Sequence, residues 1–391
     1  MSAAVAGKRL NLALLAASLV LVLAVWFAGT AAVPVLIAEG LVTPGRAAWL
    51  TAAVQLGFVA GTLISAVLSL ADRLDPRRLF LGCALAAAAA TLAQVLVAPS
   101  GAAAVGLRFV AGAAMAGVYP VGMKLAASWA KGDLGLLIGI VVGALTLGSA
   151  LPHLLPSLLG SLDWRAAYAG AGVLAAAGAG LILRFRPGPL LGARPPFRPA
   201  QMLEAWRNPG LRLANLGYLG HMWELYAMWA WIGVFLAAML GRPDVGPWVF
   251  AVMAAGSAGC VLAGLAADRW NRARVAALCM VVSSGCALAI GAASAWPALA
   301  LGIAFLWGFA VVADSAQFSA CVVSLSPPEY VGTMLTVQTS AGFLLTAVMI
   351  GMLPTAMVAL GQGAAFALLG LGPLAGAVAM WRLAPLLPAA R

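Results

Sequence analysis

Long apolar runs, broken at near-regular intervals by charge, proline or glycine, organise this chain. Twelve such runs can be drawn, each long enough to cross the roughly 30 Å hydrocarbon core of a bilayer as a helix. Six lie in the first half, at 10–38, 48–71, 79–98, 102–128, 134–159 and 166–183. Six lie in the second, at 213–240, 248–267, 275–293, 298–325, 331–356 and 364–383. Between the two sets runs a polar stretch from Arg184 to Arg212 that includes Arg194-Pro-Pro-Phe-Arg-Pro, and its composition predicts an extended linker. The pattern predicts an all-α membrane protein: an N-terminal six-helix bundle over 1–183, a linker over 184–212 and a C-terminal six-helix bundle over 213–391. The first run follows Lys8 and Arg9 and is too long for the core of a secretory signal, so it reads as an uncleaved first helix.

Composition narrows the class. Hydrophobic residues make up 64% of the 391 positions and charged residues 8%, against roughly a quarter charged in a soluble domain. A soluble enzyme, a disordered chain and a fibrous protein are excluded on that ground. The net charge of +11 does not form a nucleic-acid patch, because the cations fall in the connections. With the N-terminus inside, the inner side carries seventeen Lys and Arg, and the outer side only Arg46, Arg165 and Arg242. The positive-inside rule then predicts a multi-pass inner-membrane protein with both termini and the linker in the cytoplasm. The five cysteines all fall in apolar segments, as buried free thiols rather than a disulfide framework. No nucleophile elbow, zinc-binding helix pair or phosphate-cradling loop occurs, so neither an enzyme nor a cofactor is expected, and ATP does not supply the drive.

The halves also repeat. Asp72-Arg73-Leu-Asp-Pro-Arg-Arg follows the second run, and Asp268-Arg269-Trp-Asn-Arg272 follows the eighth, 196 positions later. Both resemble the cytoplasmic loop motif of the major facilitator superfamily, a glycine, then Asp-Arg, a turn glycine and further arginines. The second copy keeps Gly264, Asp268, Arg269 and Arg272, whereas the first has Leu68 in place of the leading glycine and Asp75-Pro76 in place of the turn. Arg108 with Gly112, Gly117 and Tyr119-Pro120 is similar to a second family motif, and Asp163-Trp164-Arg165 to the start of the family's sixth helix. The resemblance spans essentially the whole chain. It implies two pseudo-symmetric six-helix bundles, alternating access around a central cavity, and a gating cluster at Asp72, Arg73, Gly264, Asp268, Arg269 and Arg272. The substrate does not follow from the family, because one fold hosts many functions.

Ionisable groups inside spans are costly, so each is a candidate for function. Glu224 lies about 16 Å into the seventh run, and His221 is three residues earlier on the same face, continued by Met228 and Trp231. Asp314, with Gln317 one turn on, occupies the tenth run, and Arg108 the fourth. Tyr226 and Trp231 are further candidates to line a cavity. Lys124 is expected to snorkel to the headgroups. The reading is a secondary active transporter, working as a monomer, that moves a small organic solute and couples it to protons through Glu224, Asp314 or both. The alternatives are a multidrug or metabolite efflux antiporter, and a non-transporting receptor or scaffold in a transporter fold.

Overall fold

The computed structural model describes residues 3–159, 163–192, 197–327 and 329–387. Arg194 to Pro196 of the proline run, Pro328 and Arg391 lie outside the described residues. Twelve helices are long and apolar enough to cross a membrane, and the described residues contain no strand. The first half holds α1 (Gly7–Ala38), α2 (Pro44–Leu68), α3 (Pro76–Leu96), α4 (Ala102–Ala127), α5 (Gly135–Leu158) and α6 (Trp164–Arg184). The second holds α7 (Pro209–Leu240), α8 (Gly246–Arg269), α9 (Arg272–Ala293), α10 (Pro297–Leu325), α11 (Val331–Leu360) and α12 (Gln362–Leu386). In hydrocarbon only such internally bonded segments leave no backbone group unsatisfied.

Caps set several boundaries that hydropathy misplaces. Asn208 accepts hydrogen bonds from the backbone N–H groups of Gly210 and Leu211, and Pro209 opens α7. The helix thus begins before the exposed Arg212, at which the apolar pattern stops. At the other extreme, α2 ends at Leu68, short of residue 71. Ser69 there adopts φ 51° and a separate short turn carries Asp72 and Arg73. The linker is not wholly extended either: Glu204–Arg207 forms a helical turn ahead of α7.

The repeat is physical as well as textual. Asp75 caps α3 through the N–H groups of Arg77 and Arg78, and Asn271, 196 residues on, caps α9 through those of Ala273 and Arg274. Each loop then reaches the end of its bundle's last helix: Arg77 Nη1 donates to Phe185 O, and Asn271 Nδ2 to Ala384 O. Gly112 on α4 lies against the backbone of Val54, and Gly308 on α10 against that of Val252. A side chain at either glycine would collide with the partner helix's main chain. The fourth helix of each bundle is interrupted at an equivalent place, around Val118 in α4 and at Asp314 in α10.

The bundles meet along two seams, α5 against α8 and α2 against α11, with α1 facing α7 between them. The α5–α8 seam is closed along its length. Asp268 lies against the start of α5 at Gly135, Ser257 Oγ donates to Gly143 O at 3.1 Å, and Ser157 Oγ donates to Asp244 Oδ1 at 3.1 Å.

Candidate functional site

The middle of the molecule contains two different polar environments, one in each half. In the C-terminal half, α7 carries Glu224 roughly 22 Å along its axis from Pro209. The carboxylate is 1% exposed and accepts two hydrogen bonds, from Ser283 Oγ of α9 at 2.6 Å and Trp307 Nε1 of α10 at 2.7 Å. Among the described residues it has no cationic partner. His221 lies one turn earlier, with Nδ1 2.9 Å from Asp314 Oδ1 and Nε2 3.0 Å from Ser315 Oγ. The Nδ1 contact is a close approach rather than an aligned hydrogen bond, since Asp314 Oδ1 has no hydrogen-bond partner by direction among the described residues. Tyr218 and Phe318 flank the imidazole. Asp314 stands where α10 is interrupted, so the break in the helix sets this acid opposite α7.

The structure thus brings together His221, Asp314 and Glu224 from the sequence candidates, and separates others from them. Gln317 is buried one turn beyond Asp314, and its backbone N–H donates to Asp314 O at 2.9 Å. Trp231 Nε1 donates to Ile350 O at 3.1 Å, tying α7 to α11. Tyr226 sits on the opposite side of α7 from Glu224, because two residues turn a helix by about 200°. Its ring stacks on Phe27 (5.7 Å, 7°) and Trp26 (6.2 Å, 13°) of α1. Phe343 of α11 joins them, 5.7 Å from Trp26 and 4.6 Å from Phe58 of α2. An aromatic cluster therefore fills the junction between the halves, while the acids point into the C-terminal bundle.

In the N-terminal half, Arg108 is completely buried and donates to three carbonyls of α1 and α2: Leu50 O at 3.1 Å, Val25 O at 2.9 Å and Trp26 O at 2.6 Å. Tyr168 of α6 lies under the guanidinium at 5.9 Å. No carboxylate pairs with it among the described residues. Beside it, Trp26 Nε1 donates to Gln55 Oε1 at 3.1 Å, which fixes the amide orientation because an indole nitrogen is only a donor. Gln55 Nε2 is left buried and unpaired, as is Trp229 Nε1 in the adjoining cluster.

The two Asp-Arg loops also differ. Asp72 forms an ion pair with Lys124, whose Nζ also donates to Ala71 O at 2.8 Å. The expectation that Lys124 snorkels to the headgroups is corrected here. Its side chain is 8% exposed, and a neighbouring carboxylate holds it in the protein. Asp268 instead faces the other half, with Oδ1 3.3 Å from the point where a Cβ on Gly135 would stand. A carboxylate there complements the positive end of α5. Arg73 and Arg269 are exposed, Arg272 is half-buried, and Gly264 has open space where a side chain would go. Sequence reasoning missed Ser283, Trp307, Ser315 and Trp26. Each is an ordinary residue in an apolar run, and no local signal marks it.

Twelve helices in two related bundles, closed around buried acids and a fixed arginine, define a polytopic membrane carrier of the two-halved kind. The chain belongs to the Major Facilitator Superfamily, whose pattern it matches over residues 14–350, and it is a transporter of that family. No curated protein matches the chain. Its fold is similar to that of the xylose transporter XylE from E. coli in a partially occluded inward-open conformation. That likeness has a TM-score of 0.74 at 14% identity and covers 95% of this chain and 97% of the other. The proton:xylose symporter XylE bound to 6-bromo-6-deoxy-D-glucose gives 0.69 at 14% identity, covering 95% of each chain. The human organic anion transporter MFSD10 (TETRAN) gives 0.68 at 17% identity, covering 95% of this chain and 99% of that one. At these identities the likeness is one of fold.

Proposed function

We propose that this protein is a proton-coupled secondary transporter of a small organic solute, working by alternating access in the cytoplasmic membrane. The observation that carries the reading is Glu224. It is a carboxyl group 1% exposed, held among the described residues only by the hydroxyl of Ser283 and the indole of Trp307. Charge at such a site costs several kcal/mol unless compensated. Small movements of α9 or α10 that shift either donor change that cost. Proton binding and the conformation of the C-terminal bundle are thereby linked, since a ligand shifts an equilibrium only through differential affinity. His221 and Asp314 form the second member of the relay.

The solute site belongs at the junction between the halves, among Trp26, Phe58, Tyr226, Trp229 and Phe343. Two buried donors there, Gln55 Nε2 and Trp229 Nε1, have no acceptor, and a solute with oxygen or nitrogen acceptors would supply one. The one buried guanidinium nearby is occupied by carbonyls, which favours a neutral or cationic solute over an anion. The linker end of the bundle, where most of the cations lie, faces the cytoplasm.

The test uses purified protein in proteoliposomes loaded with a pH-sensitive dye. A panel of neutral, cationic and anionic solutes, D-xylose among them, is added across an imposed pH difference. A neutral or cationic member should move protons with wild type and fail to do so with Glu224→Gln. Solute-driven proton movement equal to wild type in that variant would remove Glu224 from the coupling.

A further inference from the structure

Behind the working segment of α7, on the outside of the C-terminal bundle, lies a groove of about 490 Å³. Leu213, Leu216 and Trp223 of α7 form one side, Leu371, Ala375 and Val378 of α12 the other, and Leu345 of α11 closes an edge. Glycines make the groove possible. Gly220 packs on the backbone of Gly372 and Gly376, so the two helices touch and the larger side chains stand apart as walls. The Trp223 wall is fixed, since Nε1 donates to Leu368 O at 3.0 Å. Leu216, Leu371 and Val378 are about half exposed, so the groove opens sideways to the bilayer.

We propose that this groove holds one acyl chain of an anionic phospholipid, with its phosphate on Arg382. Three observations select that occupant. From Leu371 to Arg382 the groove runs roughly 16 Å along α12, which is one leaflet of a ~30 Å core. Arg382 lines the end of the groove nearest the linker, exposed and without an ion pair among the described residues, and exposed Arg212 directly precedes Leu213, the first residue of the opposite wall. Trp381, 59% exposed beside it, marks the interfacial level at which a headgroup sits. A lipid phosphate supplies the missing counter-charge, and basic pockets between helices select anionic headgroups in this way. The lipid lies against Gly220 and Trp223, the residues just before His221 and Glu224, so its presence bears on the freedom of α7.

The experiment is lipid binding, independent of any transported solute. Wild-type protein is placed in nanodiscs of equal phosphatidylglycerol and phosphatidylcholine, extracted gently, and its retained lipid is weighed by native mass spectrometry. Phosphatidylglycerol should be retained about fivefold over phosphatidylcholine, the preference one arginine supplies. Arg382→Gln should abolish the preference, and Ala375→Phe, which fills the groove, should lower retention of both lipids. Equal retention of the two lipids by wild type, or an unchanged preference in Arg382→Gln, overturns the proposal. Photo-crosslinking of wild type with diazirine-labelled phosphatidylglycerol covers the case of a variant that does not fold. Adducts within 213–223 and 371–382 are expected, and adducts only elsewhere would refute the assignment.

Discussion

The two halves share a fold and a repeat yet handle buried charge in opposite ways. In the N-terminal bundle the charge is Arg108, and each of its three nitrogens donates to a backbone carbonyl of α1 or α2. Those carbonyls cannot change their protonation, so the arginine is a fixed clamp. In the C-terminal bundle the charges are acids, met by a hydroxyl, an indole and an imidazole. Such partners can rotate, exchange roles or take up a proton. The same contrast recurs in the two Asp-Arg loops, where Asp72 is held by Lys124 of its own half and Asp268 faces α5 of the other. On the proposed function, one bundle is the frame and the other the part that responds.

The comparison is broken most directly by exchanging stability for function. Arg108→Met should cost about 3 kcal/mol or more, since hydrogen bonds from a charged donor are worth roughly 1.5–3 kcal/mol each. Glu224→Gln should cost under about 1 kcal/mol, because the amide oxygen still accepts from Trp307 and the amide N–H can donate to Ser283. Accumulation driven by a pH gradient should show the reverse order, falling at least about tenfold in Glu224→Gln. Melting curves and uptake on the same preparations decide the matter, and equal stability losses would end the distinction between frame and responder.

The gating pair should separate more gently. Asp72→Asn leaves Lys124 buried beside a neutral group and should lower stability by about 2 kcal/mol. Asp268→Asn removes a partly screened charge at a helix start, worth about 0.5 kcal/mol. It should nevertheless alter the transport rate more than Asp72→Asn does, because it alone acts across the halves. Similar rates in the two variants would show that the cross-half contact is not a gate.

The smallest effect is expected at Asp133. The backbone N–H of Lys131 and the ammonium of Lys8, at 2.8 Å and 2.6 Å, hold its carboxyl below the usual aspartate range. A depressed folded value contributes stability above the unfolded pKa of about 3.9 and loses it as pH falls through the folded value. Asp133→Asn should therefore be about 0.5 kcal/mol less stable than wild type at pH 7. The difference should shrink as pH falls below the unfolded value and through the lower folded one. A gap in melting temperature that does not narrow at all as the pH is lowered from 7 into the acid range below the unfolded value would assign the effect to something other than this carboxylate.

The spans, the repeat and the family were legible in the sequence because each rests on local chemistry. A helix that must bury its backbone in hydrocarbon needs a long apolar run wherever it packs. The loop motifs kept their Asp and Arg at the 196-residue interval. Boundaries were less legible where a cap outweighed hydropathy, as at Asn208-Pro209, or where Ser69 turned the chain before Asp72.

The sequence by itself determined that this protein has twelve spans in two related halves, and that His221, Glu224 and Asp314 are its costly groups. Tertiary structure alone decided what each of those groups meets. Tyr226 and Glu224, two positions apart, lie on opposite sides of α7, but only packing sets Phe27 of α1 against one and Ser283 of α9 and Trp307 of α10 against the other. Asp314, 93 residues from His221 in sequence, reaches it because α10 is interrupted there and packs on α7. Arg108, a further costly group in the sequence, donates to three carbonyls from two other helices rather than to an acid. The physical reason is common to all three. Periodicity fixes which side of one helix a residue occupies, whereas a partner is fixed by how helices far apart in the chain are packed together.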